Sequence, residues 1–347
     1  MATSSLLGYF VIPFIIGLFL AITMGGSGTG PAFSAAYGSG VLKKSAIAGL
    51  FGIMVFLGAI IAGKQTATTI GKGLIDPELM NLTLVSIILF SVAISLLIAN
   101  IAGIPQSTSQ STVLAVMAAA TFFNQGNPHK LLTEIIPAWL ILPVIAYFIS
   151  YLMGKYIYRP MRRRGLTISR SSNVNSKPVL NTLIVFMSLY VAFSIGANNV
   201  ANAAGPIASM TANELGISDQ KGFNLLLTIS VFMIAPAFGI GSSVFGNKIL
   251  KNTGKEIVLF GKFEAIIISF VSGSLLLLAS ITKGIPTSLV QLNVAAILGI
   301  GVAKLGPRNI FMKTEVKKFF LMWLIAPAIA FCLSYALIAL AHHYQFI

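Results

Sequence analysis

The chain has 347 residues, of which 56% are apolar and only 9% are charged. An ordinary soluble domain carries about 25% charged residues, so this composition excludes a soluble enzyme, a nucleic-acid-binding protein and a disordered chain, despite a net charge of +15. A polytopic, all-α membrane protein remains, because the apolar runs approach the length of about 20 residues that a membrane-spanning helix needs.

The apolar runs form two series of five along the chain. The first series covers 6–24 continuing to 42, 45–62, 82–100, 104–123 and 133–153. The second covers 179–197 continuing to 212, 223–246, 257–282, 285–303 and 319–341. We predict a first membrane repeat at 1–154, a basic cytoplasmic linker at 155–178 and a second membrane repeat at 179–347.

The basic residues predict the orientation in the membrane. If the N-terminus is outside and each run crosses once, 18 Lys and Arg residues lie inside and 5 lie outside. Basic residues favour the cytoplasmic side, so both termini are expected outside the cell membrane.

Two motifs occur once in each series, in the same order. Thr23–Gly28 resembles Ser194–Asn199, and Gly103–Ser107 resembles Gly284–Ser288. An odd number of crossings per series places the second series upside down relative to the first. The pattern predicts an inverted-topology repeat with broken or re-entrant helices, as in many secondary transporters.

The first motif contains four glycines within Gly25–Pro31 and is expected to break its helix. A new helix starting there presents free N–H groups, which bind anions. Ser27 and Thr29 favour such a site over the alternative, close helix packing through small residues.

The other copies are more polar. Asn198, Asn199 and Asn202 lie in an apolar run, and amides at membrane depth need a partner. Hydrogen-bonding side chains also fill Gln106–Thr112 and follow Pro286. A binding site for a polar ligand is the favoured interpretation; hydrogen bonds between helices and a surface loop are the alternatives.

These motifs resemble those of the inorganic phosphate transporter family, most closely its sulfate permease branch. The family signature G-A-N-D-V-A-N-A is matched by Gly196–Ala203, with Asn199 at the Asp position, and weakly by Gly25–Ala32. The family motif G-L-P-V-S-T-T-H is matched by Gly103–Gln110 and Gly284–Gln291. The resemblance implies an inverted-repeat carrier, usually a homodimer, that binds its oxyanion between the four motifs.

The departures from the family motifs favour sulfate. Both signature Asp residues are absent from this chain. Near neutral pH phosphate keeps a proton that a carboxylate can accept, whereas sulfate keeps none and is repelled by a carboxylate. A site of amides, hydroxyls and backbone N–H groups therefore suits sulfate, or the related anion thiosulfate.

The candidate residues fall into three groups. The expected anion contacts are Ser27, Gly28, Thr29, Ser107, Thr108, Ser109, Asn198, Asn199, Thr287 and Ser288. A surrounding layer or a cation site is expected from Gln110, Asn202, Gln291 and Asn293. Glu134 and Glu264 open apolar runs and are candidate proton relays, with a helix N-terminal acid near the headgroups as the alternative.

We therefore expect sulfate import by cation symport, with a proton favoured over sodium, and neither a metal nor another cofactor. Phosphate symport by the same architecture and an anion channel are the alternatives. No His-Glu-x-x-His motif, cysteine pair or ATP-binding loop occurs in the sequence, so an enzyme is not expected. The expected partners are the oxyanion, the coupling ion, the lipid bilayer and a second copy of the chain, and nucleic acid is not among them.

Overall fold

A computed structural model describes residues 2–102, 106–160, 177–252 and 261–347, and this part of the chain is helical, with no β-strand. The first series forms α1 Ala2–Gly38, α2 Lys44–Ala62, α3 Lys64–Lys72, α4 Leu82–Ala102, α5 Thr108–Phe123 and α6 Ile136–Met153. The second forms α7 Lys177–Asn199, α8 Ala201–Glu214, α9 Gln220–Ile234, α10 Pro236–Asn252, α11 Lys262–Thr282, α12 Leu289–Leu305, α13 Pro307–Phe311 and α14 Thr314–His343.

Eight helical stretches in the described part are long and apolar enough to cross a membrane. Two shorter apolar helices, α5 and α12, complete the ten predicted runs. The predicted all-α, polytopic fold is therefore confirmed. Most of the predicted linker, 161–176, lies outside the described residues, whereas a π-helical turn at Gly154–Tyr158 extends α6 into its first part.

The break predicted at Gly25–Pro31 is wrong, because α1 runs without interruption for 37 residues, or about 55 Å. Its polar side chains bond to carbonyls of the same helix, from Ser27 Oγ to Met24 O at 3.0 Å and from Thr29 Oγ1 to Gly25 O at 2.7 Å. Gly25 lies directly against the backbone of Phe238, so neighbouring structure holds the glycines helical. No second helix begins at this motif, so the free N–H groups expected at such a helix start are absent here.

The two series pack together through glycines that bring helix backbones into contact. In α1 and α10, Gly25 meets Phe238 and Gly241 meets Ile22. A similar reciprocal contact joins α2 and α7: Gly58 contacts the carbonyl of Phe193, and Gly196 contacts the carbonyl of Val55. No side chain larger than hydrogen fits at these contacts, so small residues decide how closely the helices approach.

The short helices α5 and α12 each pack on the last long helix of the other series. Ser334 of α14 donates a hydrogen bond from Oγ to Ala115 O of α5 at 3.0 Å, and Gly299 of α12 lies against Tyr147 O of α6. The halves are thus interlocked rather than side by side. This reciprocal pattern agrees with an inverted repeat, and the inversion itself stays a prediction.

Candidate functional site

The segment before α12 is extended and is held by neighbouring helices. Gly284 has φ +60°, and a Cβ there would clash with Gln65 O, so the turn requires glycine. Trp139 Nε1 donates to Pro286 O at 2.8 Å. The chain between α11 and α12 is thereby fixed at the depth of the site.

Asn198 ties this segment to α7. Its Nδ2 donates to Ser280 Oγ at 2.8 Å and to Ile285 O at 3.1 Å. Its Oδ1 accepts from Thr287 N at 3.2 Å and from Ser109 Oγ at 3.0 Å. Both atoms of the amide are occupied, so Asn198 positions the two Pro motifs rather than offering hydrogen bonds to a ligand.

The N-termini of α5 and α12 are built alike. Ser107 Oγ caps α5 by accepting from Gln110 N at 3.3 Å, and Ser288 Oγ caps α12 by accepting from Gln291 N at 3.2 Å. The amides of Gln110 and Gln291 then bond to each other in both directions, at 3.1 and 3.0 Å. Two helix N-termini, which favour negative charge, therefore meet at one place.

A small pocket lies at this junction. It is lined by Ser27, Gly28, Pro31, Gln106, Ser107, Thr108, Ser109, Asn199, Thr287, Ser288, Leu289 and Val290. The structure thus brings together all the predicted anion contacts except Thr29 and Asn198. Among the described residues, none of the lining side chains is ionisable, so hydrogen bonds and helix ends define the chemistry of this part of the pocket.

The lining hydroxyls differ in what they can offer a ligand. Ser107 and Ser288 accept their capping bonds, so their own hydrogens remain available to an anion. Ser27 already donates its hydrogen to Met24 O. Ser109 donates to Asn198 and accepts from Asn202 Nδ2 at 3.3 Å, so it has no hydrogen left for an anion.

Gln106 lines the pocket but is absent from the predicted anion contacts. Its Nε2 and Oε1, like Thr287 Oγ1, are buried without a hydrogen-bond partner in the described part of the chain. Each unsatisfied group costs about 1–3 kcal/mol, so a ligand or water is expected to satisfy them. The sequence signal for Gln106 was its place at the head of the polar run, directly before the N-cap of α5.

The remaining candidates surround the pocket or lie away from it. Gln110 and Gln291 pair beside it, Asn202 supports Ser109, and Asn293 is buried near the start of α12. The hydroxyl of Thr29 donates to Gly25 O within its own helix. Gly103, Ile104 and Pro105 of the first Pro motif lie outside the described residues.

The two candidate proton relays are not part of the pocket lining. Glu264 is 1% exposed; its Oε1 contacts Lys304 Nζ at 2.6 Å and its Oε2 accepts from Gly261 N at 2.6 Å. Glu264 and Ser280 are 16 residues apart on α11, or about 24 Å. Glu134 is partly exposed in the π-helical turn before α6. The described residues contain no group of three or more His, Cys, Asp or Glu side chains that could hold a metal ion.

Comparison with known proteins identifies relatives along nearly the whole chain. Sulfate permease CysP of Bacillus subtilis is 33% identical over 327 residues, covering 94% of this chain and 86% of the relative. A Pyrococcus horikoshii protein provisionally named a phosphate permease is 24% identical over 393 residues, covering 93% of this chain and 95% of the relative.

A solved structure has the same fold. It is described as the sodium-dependent phosphate transporter and superposes with a TM-score of 0.79 at 21% identity, covering 96% of this chain and 99% of the other. The phosphate transporter family model matches residues 24–334. This chain therefore belongs to the phosphate transporter family, and it is a multi-pass membrane transporter of an inorganic anion and not an enzyme.

Proposed function

We propose that this chain is a secondary active transporter that imports sulfate, or the similar anion thiosulfate, across the cell membrane. The observation that carries the proposal is a buried pocket lined by hydroxyls, amides and two helix N-termini, with no ionisable side chain among the described lining residues. Sulfate has no proton near neutral pH and only accepts hydrogen bonds, so this lining complements it. The similarity to a protein named sulfate permease supports the same substrate.

Phosphate is the second candidate substrate. A relative named for phosphate is 24% identical to this chain, and the solved structure named for phosphate has the same fold. Phosphate also offers unprotonated oxygens to the pocket, but its proton finds no carboxylate among the lining side chains. We therefore expect phosphate to compete weakly with sulfate.

Transport needs a co-transported cation. Moving a dianion into a negative cell costs about 2.3 kcal/mol per charge for each 100 mV. We propose proton symport, with Glu134 and Glu264 as candidate relays. Because Glu264 is paired with Lys304 and lies far along α11 from Ser280, it would act at one end of the pathway and not on the anion.

Radiolabelled sulfate uptake into proteoliposomes tests substrate and coupling together. The membrane potential is held constant, and uptake is measured with an inward proton gradient, with an inward sodium gradient, and with no cation gradient. We expect sulfate to accumulate when the gradient is of protons. If Glu264 or Glu134 carries the proton, the variant that replaces it, Glu264→Gln or Glu134→Gln, should abolish this accumulation.

Other outcomes of the same assay contradict parts of the proposal. Accumulation with sodium alone rejects proton coupling, and uptake that never exceeds the electrochemical gradient indicates a channel. Uptake of phosphate but not of sulfate rejects the substrate.

The same proposal includes a homodimer with both termini outside the cell. The homodimer follows from the family resemblance, and the orientation follows from the distribution of Lys and Arg. Mass measurement of the purified protein in detergent tests for the homodimer, and labelling of single cysteines from each side of the membrane tests the orientation.

A further inference from the structure

Gln106 and Thr287 occupy equivalent places in the two halves. Each residue directly precedes the N-cap serine of a short helix, Ser107 for α5 and Ser288 for α12. The side chains are 1% and 2% exposed, and both line the pocket. Two copies of one motif therefore contribute matching positions to one site.

Gln106 and Thr287 also share full burial of polar side-chain atoms that have no hydrogen-bond partner among the described residues. In the described part of the chain they are the pocket residues whose fully buried polar side-chain atoms have no partner. Gln106 offers two N–H groups from Nε2, and Thr287 offers one O–H. Ser27 and Ser109 have already donated their hydrogens to Met24 O and Asn198 Oδ1.

We propose that Gln106, together with Thr287, contacts the transported anion and lets the site accept a tetrahedral oxyanion that carries no proton. This inference deepens the proposed function and rests on it. The substrate class follows from the three free donors: an ion such as sulfate or selenate has acceptors only and satisfies the N–H and O–H groups, while the acceptor Gln106 Oε1 needs a water molecule instead. A carboxylate at position 106 would instead repel such an ion and demand a proton on it.

The test uses variants of similar shape. Gln106→Met and Thr287→Val remove the polar groups while keeping a side chain of similar size, and Gln106→Glu introduces the carboxylate. Gln220→Met and Thr228→Val are matched controls, because both residues are exposed on α9. All proteins are purified at full length and reconstituted.

Initial rates of sulfate uptake give the first measurement. Losing a hydrogen bond to a charged ligand raises KM about ten- to a hundredfold, with kcat less affected. We expect this change in Gln106→Met and Thr287→Val but not in the controls. Gln106→Glu should lose sulfate uptake, while uptake of radiolabelled phosphate, at a pH where it carries a proton, is less affected. Unchanged KM in both shape-matched variants overturns the proposal.

Thermal unfolding in detergent separates ligand contact from a structural role. Removing an unsatisfied buried polar group should leave the Tm of the ligand-free protein equal or higher, and should shrink the rise in Tm that added sulfate causes. A lower ligand-free Tm with an intact sulfate-dependent rise shows a structural role and contradicts the proposal.

The proposed function can fail separately. If wild-type protein transports phosphate but not sulfate, sulfate import is rejected. The same two shape-matched variants must then raise the KM for phosphate, and if they do not, the contact assigned to Gln106 and Thr287 is rejected as well.

Discussion

Asn198 and Asn199 are neighbours in the chain but have different surroundings. Asn198 makes four hydrogen bonds that join α7 to both Pro motifs. Asn199 lines the pocket and has no side-chain hydrogen bond among the described residues. The sequence predicted that these amides need partners, but which one faces the pocket depends on the helices around α7.

Replacing each of these asparagines by aspartate should separate the two roles. Asn198→Asp removes the N–H donors to Ser280 and Ile285, so the free energy of unfolding should fall by about 1–3 kcal/mol or more. Asn199→Asp breaks no side-chain hydrogen bond among the described residues and should cost less stability than Asn198→Asp, but it should weaken sulfate binding by charge repulsion, with phosphate less affected. Thermal unfolding and sulfate uptake measure both effects, and unchanged sulfate affinity in Asn199→Asp would contradict the argument from the missing carboxylates.

At the scale of elements, the glycines of α1 show how packing overrides local preference. Four glycines and Pro31 predicted a break, since glycine is a poor helix former. The helix continues because its glycines permit close contact with α10, as at Gly25 and Phe238. In α2 and α7, Gly58 and Gly196 serve the same purpose.

The contact between Gly58 and Phe193 leads to a prediction about α2. Gly58→Ala should lower the Tm strongly, because a Cβ would collide with the carbonyl of Phe193 and separate α2 from α7. The Cβ added by Gly49→Ala in the same helix has no atom within 4 Å, so this substitution should stabilise the folded protein by up to about 1 kcal/mol. Equal effects of the two substitutions on thermal unfolding would show that the glycine contact is unimportant.

A buried ion pair joins the start of α11 to the end of α12. Glu264 is 1% exposed and Lys304 is 14% exposed, at 2.6 Å. Lys304→Met leaves the buried carboxylate without its charge partner and should cost about 3–5 kcal/mol. Glu264→Gln should cost less, because the longer lysine can still reach water. Denaturant unfolding of both variants tests the order, and the reverse order would contradict it.

At the scale of the whole molecule, the charge distribution predicts orientation. The single cysteine, Cys332, is exposed and is first replaced by serine. In that background, Gln125→Cys should react with a membrane-impermeant maleimide on intact cells. Arg308→Cys should react only after the membrane is opened, since the loop between α12 and α14 is predicted inside. Labelling of both positions from the same side would reject an odd number of crossings between them.

Sequence alone determined the class, the ten apolar runs and most of the pocket residues. It could do so because few charges, run lengths near a membrane thickness and repeated polar motifs are local properties of the chain. Ser107 and Ser288 were recognisable in this way, as hydroxyls just after a helix-starting Pro motif.

Only the tertiary structure decided how each polar group is used. It placed Asn198 in a closed hydrogen-bond network, turned Thr29 to its own helix, and left Gln106 buried without a partner. It also kept α1 continuous through contact with α10. The physical reason is that the partner of a buried polar group can lie far along the chain, as Ser280 does for Asn198, or one turn away, as Gly25 does for Thr29, and no local pattern shows which partner is used.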